Sequence, residues 1–394
     1  MRLMMARIWV VLHLLALACS AQAETVASVV LRVDYPGLLP VSRLDLRPDD
    51  LGFAGGAVAT DDNQTTGRFL GHEYAIETVA VPPEEVVETF AGLQEAGHRF
   101  FAFVARREEL AALIAAAGPD TVMFNAGAPD RVFRDAGCHR NLLHVLPSRN
   151  MLADAVAQFL VWKKWPDWFL IHGSHDADLA LQDAYAHAAR KFGARITETR
   201  EFTDTGGARR TDTGHVLVQR QIPVFTQDAA DHDVIIAADE TDVFAAYLPY
   251  HSWVPAPVAG SAGLRPVSWH PAHEAWGATQ FQRRFEKLAG RRMREEDYHV
   301  WLALRVLGEA VTRTGNGAPM AIRDYIMSDA FELAAFKGQK VTFRHWNGQL
   351  RQPILLTDGR ITISVSPQEG FLHRRSPLDS LGLDEPESGC TAFE

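Results

Sequence analysis

Apolar positions along this chain follow two rhythms that take turns. Residues 28–33, 74–80, 99–104, 121–125, 168–171, 194–201 and 233–237 are short β-branched, aromatic or alternating runs that read as strands. Residues 84–97, 108–117, 150–164 and 176–192 carry apolar residues at spacings of three and four and read as helices. In the first of these, Val86, Phe90 and Leu93 share one face and Gly97 closes the helix. The stretch between the first strand and residue 74 has neither rhythm and reads as a loop. Strands alternating with helices of this length imply parallel sheets covered on both faces.

The pattern then changes. Residues 203–215 are polar and glycine-rich and read as a mobile surface loop. From 272 to 313 the chain turns helical, with a stripe of Phe281, Phe285 and Leu288, then a second of Tyr298, Leu302, Arg305 and Val306 that Gly315 ends. Residues 341–346 and 350–356 flank Asn347-Gly348, a tight hairpin signal, and Asp358-Gly359 repeats the device before 361–365. Beyond Pro377 the chain is acidic and sparse in apolar residues, the pattern of a loosely packed tail. No internal repeat, heptad or low-complexity tract is present.

The N-terminus changes the picture by adding a compartment. Arg2 and Arg7 border an apolar run over 8–18, too short to span a bilayer comfortably, and Ala21-Gln22-Ala23 has small residues where a signal peptidase reads. Residues 1–23 therefore read as a leader cleaved after Ala23, with lipidation of Cys19 as the alternative. Roughly 370 residues remain, enough for two domains with full cores. A net charge of −10 argues against nucleic-acid binding. Cys138 and Cys390 survive maturation, and in an oxidising periplasm an even pair reads as a disulfide; two separate buried thiols are the alternative.

Local motifs now join the order of elements. Ala126-Gly127-Ala128-Pro129, Asp135-Ala136-Gly137-Cys138 and Leu146-Pro147-Ser148 form one set; Gln158-Phe159-Leu160 and Trp168-Phe169-Leu170-Ile171-His172-Gly173 form another. With these the chain resembles the type I periplasmic binding proteins, the group that includes leucine/isoleucine/valine-binding proteins. Tyr298-His299-Val300-Trp301-Leu302-Ala303, Phe336-Lys337-Gly338-Gln339 and the cysteine-bearing tail resemble a subgroup found with pyrroloquinoline-quinone-dependent alcohol oxidation systems. The resemblance implies an α/β fold of two lobes, each a mostly parallel sheet flanked by helices, joined by a three-segment hinge near 145–149, 256–262 and 334–342. Lobe 1 would comprise 24–146 and 261–336, lobe 2 147–258 and 340–376, with 377–394 as the tail. It also implies a monomeric, non-enzymatic receptor without a cofactor, closing around a small-molecule solute and delivering it to an inner-membrane ABC permease. A sensor docking to a membrane receptor has the same pattern.

Ligands of open parallel sheets bind beyond the carboxyl ends of the strands. That rule points to Asn125, Ala126 and Gly127, to His172, Ser174 and His175, to Asp239, and to Ser148 and Ser261 at the crossings. Tyr35 and Ser42 follow the first strand, and Trp269 is a candidate wall. Asn125 also fits a turn, Asp239 and Glu240 a helix cap, and Trp269 packing. Where amino-acid-binding members carry an acid after the second crossing, this chain reads Gly260-Ser261-Ala262-Gly263, which argues against a branched-chain amino acid. The rival is a metal-dependent hydrolase using His172 and His175 or His270 and His273, neither in the paired spacing of a helical zinc motif.

Overall fold

The computed structural model describes residues 24–36, 45–205 and 217–393. The expected leader with Cys19, Ser42, and residues 206–215 of the expected surface loop lie outside the described residues.

The first unit runs β1 (Glu24–Val33), α1 (Phe53–Leu70), β2 (His72–Val81), α2 (Val86–Glu95), β3 (Phe100–Val104), α3 (Arg107–Ala116), β4 (Val122–Asn125) and β5 (Leu142–His144). Its five strands lie in the order β2-β1-β3-β4-β5, all parallel. Alternation along each strand explains why whole runs are apolar. Val26, Val30, Ala102, Val122 and Phe124 enter the core on one face; Val29, Leu31, Phe101, Phe103 and Met123 enter the core on the other.

Helix α1 occupies much of what the pattern reads as a loop. Its sequence holds three glycines and few apolar residues, so it has no stripe to detect. Packing decides instead: a Cβ at Gly55 would lie 1.9 Å from the Asp297 carbonyl oxygen, so only glycine allows this helix so near its partner.

The second unit runs α4 (Arg149–Trp162), β6 (Asp167–Gly173), α5 (Asp176–Phe192), β7 (Arg195–Phe202), α6 (Val218–Phe225), β8 (Val234–Ala238), α7 (Leu248–His251) and β9 (Val258–Gly260). Its parallel sheet has the order β7-β6-β8-β9. Again one strand feeds two cores, Trp168 and Leu170 one way, Phe169 and Ile171 the other.

The rest of the chain is shared out: β10 (Arg265–Val267), α8 (Ala278–Ala289), α9 (Glu295–Thr314), α10 (Pro319–Ile326), β11 (Leu333–Ala334), β12 (Lys340–Phe343), β13 (Leu350–Arg351), β14 (Ile354–Thr357) and β15 (Thr362–Ser366). Helices α8 to α10 cover the first sheet, where Trp269 stacks on Tyr298 with ring centroids 4.9 Å apart. Val341, Phe343 and Leu350 also join that core, while Ile354 and Leu356 join the second. Strand β10 pairs with β14. The chain thus passes from one core to the other after Val267 and between Leu350 and Ile354, where the resemblance implies crossings near 256–262 and 334–342. The expected single strand over 350–356 is two, β13 and β14, in different sheets.

The tail is packed against the body of the protein, where its composition suggests a loose one. Leu378, Leu381 and Leu383 are buried, and Asp379, with no exposure, accepts from Arg344 at 3.0 Å and from Arg351 at 2.8 Å. All three leucines are buried and Asp379 is paired with two buried arginines, which composition does not reveal. Cys138 and Cys390 form a disulfide across a separation of 252 residues.

Candidate functional site

A cleft of about 980 Å³ lies between the two units and draws its walls from both. One wall brings Ala126 and Gly127 from the end of β4, Trp269 and His270 after β10, residues 291–296 leading into α9, and His299 one turn further. The other brings Leu152, Leu181, Tyr185, Glu240 and Ser261. A Cβ on Gly127 would lie 2.6 Å from the Ala105 amide nitrogen, so this loop must approach β3 without a side chain.

Arg149, the first residue of α4, spans the opening. It donates to Glu240 at 2.5 and 2.7 Å and to Asp130, in the loop after β4, at 2.7 Å. Burial opposes the charge of Arg149, but these two carboxylates more than compensate and raise its pKa. Arg291 is likewise held, by Asp50 and Asp297. Arg265 and Arg292 also line the cleft, and their guanidinium groups have no hydrogen bond or ion pair among the described residues. Both cations, after burial, hold the pKa of His270 down.

Behind this wall is a buried polar chain. Ser268 donates its N–H to Glu295 Oε2 at 2.6 Å, and its hydroxyl oxygen lies 2.8 Å from that same oxygen and 2.7 Å from His299 Nε2. Lys337 donates to the Ser268 carbonyl at 3.0 Å and to Gln352 at 2.7 Å. Burial pushes Glu295 up to about 7, His299 down to about 3 and Lys337 down to about 7.

The expected site residues divide. Ala126, Gly127, Ser261 and Trp269 line the cleft; Trp269 is also core, only 2% exposed. Asn125 turns its side chain into its own loop, accepting from the Gly127 and Ala128 N–H groups and donating to the Ala128 carbonyl. Ser148 caps α4 by accepting from Met151 N–H. Asp239 accepts from the N–H groups of Val243, Phe244 and Ala245, and burial raises its pKa against those three bonds. Asn125 and Asp239 thus take the turn and cap roles that the sequence left open, and Ser148 is a helix cap that the sequence did not offer as an alternative. His172, Ser174, His175 and Tyr35 are not among the cleft-lining residues. His175 pairs with Asp204, Ser174 accepts from Asp204 N–H, and the Tyr35 hydroxyl donates to Glu109.

Glu295, His299, Arg265 and Arg292 escape a sequence reading. Arg291-Arg292-Met293-Arg294-Glu295-Glu296 before an apolar helix looks like a solvated helix start, and no spacing marks it otherwise. No acid follows β9, as the sequence shows, yet Glu295 and Glu296 bring carboxyl groups to the cleft from another segment. Among the described residues no group of three His, Cys, Asp or Glu side chains is placed to hold a metal ion. His270 lines this cleft while His273 lines a different depression, beside β15.

No protein-family model and no curated protein matches the chain. Solved structures do. A branched-chain amino acid ABC transporter periplasmic ligand-binding protein from Burkholderia xenovorans superposes with a TM-score of 0.70 at 14% identity, over 94% of this chain and 100% of that one. The leucine-, isoleucine-, valine-, threonine- and alanine-binding protein of Brucella ovis, in its closed conformation, gives 0.66 at 12%, over 84% and 88%. An ABC transporter solute-binding protein of R. palustris in complex with benzoate gives 0.60 at 12%, over 93% and 99%. At these identities the likeness speaks to architecture: the chain has the two-lobed α/β fold of the periplasmic binding proteins.

Proposed function

We propose that this protein is the periplasmic substrate-binding component of an ABC-type importer, and that its solute is a small organic anion. The fold and the cleft between two separately cored lobes support the receptor role. The observation that carries the choice of ligand is the pair Arg265 and Arg292, two cations on the cleft wall without a carboxylate partner among the described residues. Guanidinium groups suit a carboxylate because their paired N–H donors match its two oxygens. The R. palustris neighbour holds benzoate, itself a carboxylate. Leu152 and Leu181, backed by the buried Tyr185, offer the apolar body of such a solute a surface. The finer resemblance in Tyr298-His299-Val300-Trp301-Leu302-Ala303 supports a link to quinone-dependent alcohol oxidation, a chemistry whose end products include carboxylates.

Calorimetric titration of short aliphatic and aromatic carboxylates tests this reading. Binding should weaken at least tenfold in the double variant Arg265→Ala, Arg292→Ala. Neutral alcohols binding more tightly than any carboxylate, with no loss in the variant, would refute it.

A further inference from the structure

Ser268 lies between Glu295 and His299 with a single hydroxyl proton to give. His299 Nδ1 is 3.2 Å from the Ala126 carbonyl oxygen, and a carbonyl only accepts, so Nδ1 carries the imidazole proton. A neutral imidazole then accepts at Nε2, and the Ser268 proton goes there across 2.7 Å. The 2.8 Å contact between Ser268 Oγ and Glu295 Oε2 then needs its proton from Glu295. Hydrogen counting leaves Glu295 a carboxylic acid that donates to Ser268. An imidazolium would sit buried near the Lys337 ammonium, and both effects hold the His299 pKa at about 3.

The other oxygen, Oε1, has no hydrogen-bond partner among the described residues, and Glu295 lines the cleft. As the carbonyl oxygen of an acid it accepts and cannot donate. The charged and titratable groups around it are Arg265, His270 and Arg292 across the wall, Glu296 beside it, and His299 and Lys337 behind it.

We propose that Glu295 is the specificity residue of this cleft: its Oε1 accepts a hydrogen bond from a hydroxyl of the solute, selecting a hydroxy-carboxylate over the plain carboxylate and over the matching amino acid. The inference rests on the anion reading above. A neutral acid offers an ammonium group no countercharge, while Arg265 and Arg292 repel it; a hydroxyl meets neither cost.

Two matched trios test it by calorimetry near pH ~6: 2-hydroxyisovalerate, isovalerate and valine, then mandelate, phenylacetate and phenylglycine. The hydroxy member should bind roughly tenfold more tightly than the deoxy member, and Glu295→Ala should bring that ratio close to one. The wild-type comparison stands even if the variant folds poorly. Equal affinities for hydroxy and deoxy members overturn this inference and leave the anion reading intact. Tightest binding of the amino acid overturns it too, pointing to Glu296 as the ammonium partner. If no member of either trio binds, the anion reading falls and this inference falls with it.

Discussion

Arg344 holds Asp379 at 3.0 Å in a place where neither side chain is more than 1% exposed. The same guanidinium donates to the carbonyls of Leu378, Leu381 and Leu383, so one side chain from the β12–β13 turn holds residues 378–383 in place. Removing one member of a buried pair strands the other charge. Asp379→Ala should therefore cost roughly 3–5 kcal/mol in chemical denaturation. A loss under about 1 kcal/mol would mean that the tail is as loose as its composition suggests.

The Cys138–Cys390 disulfide is a second tie on the same segment, closing a very long loop. Loop-closure entropy gives long loops the larger effect, and loss of a native disulfide typically costs about 2–5 kcal/mol. The double variant Cys138→Ser, Cys390→Ser should unfold at a clearly lower temperature than the oxidised protein, and reductant should lower the midpoint of the wild type alone.

Asp239 separates a cap from a ligand contact. Three backbone N–H groups converge on its carboxylate, so Asp239→Ala should lower stability by about 1–2 kcal/mol. Solute affinity of the folded protein should change less than threefold. A large loss of affinity with unchanged stability would return Asp239 to the binding site.

Glu295 carries a pH signature with a definite sign. Its folded pKa, about 7, lies above the usual glutamate value of 4.5. The protonated form is thus favoured by folding, and its contribution is complete below pH ~4.5 and lost as pH rises toward 7. Wild type should lose stability across that window relative to Glu295→Gln. Affinity for an anionic solute should also fall between pH ~6 and ~8, when the ionised carboxylate faces it. Parallel profiles for the two proteins would show that Glu295 does not titrate there.

How far the sequence reaches can be seen in particular residues. The parallel strands are legible because each feeds two cores, as Phe100 to Val104 do, and a fully buried strand must be continuously apolar. Helix α1 is not, because Gly55 and Gly56 are chosen for close approach to α9 and Ile76 and not for propensity. In the cleft, Ala126, Gly127 and Ser261 follow strand ends and obey the rule for open sheets. Asn125, Ser148 and Asp239 sit at the same kind of position yet face their own backbone, a difference of side-chain direction that no spacing records. Arg265 reaches the cleft from β10 itself and Glu295 through the return of the chain after β10, tertiary placements with no local signal.

The most direct test of the receptor reading is thermal unfolding of the purified protein against carboxylates, amino acids, alcohols, aldehydes and pyrroloquinoline quinone, each with zinc and with chelator. A solute at a hundred times its dissociation constant should stabilise the folded state by about 2.7 kcal/mol. The account predicts that a carboxylate raises the midpoint equally in chelator and in zinc, with the solute recovered unchanged. A shift with zinc alone, accompanied by turnover of any of these compounds, would contradict it.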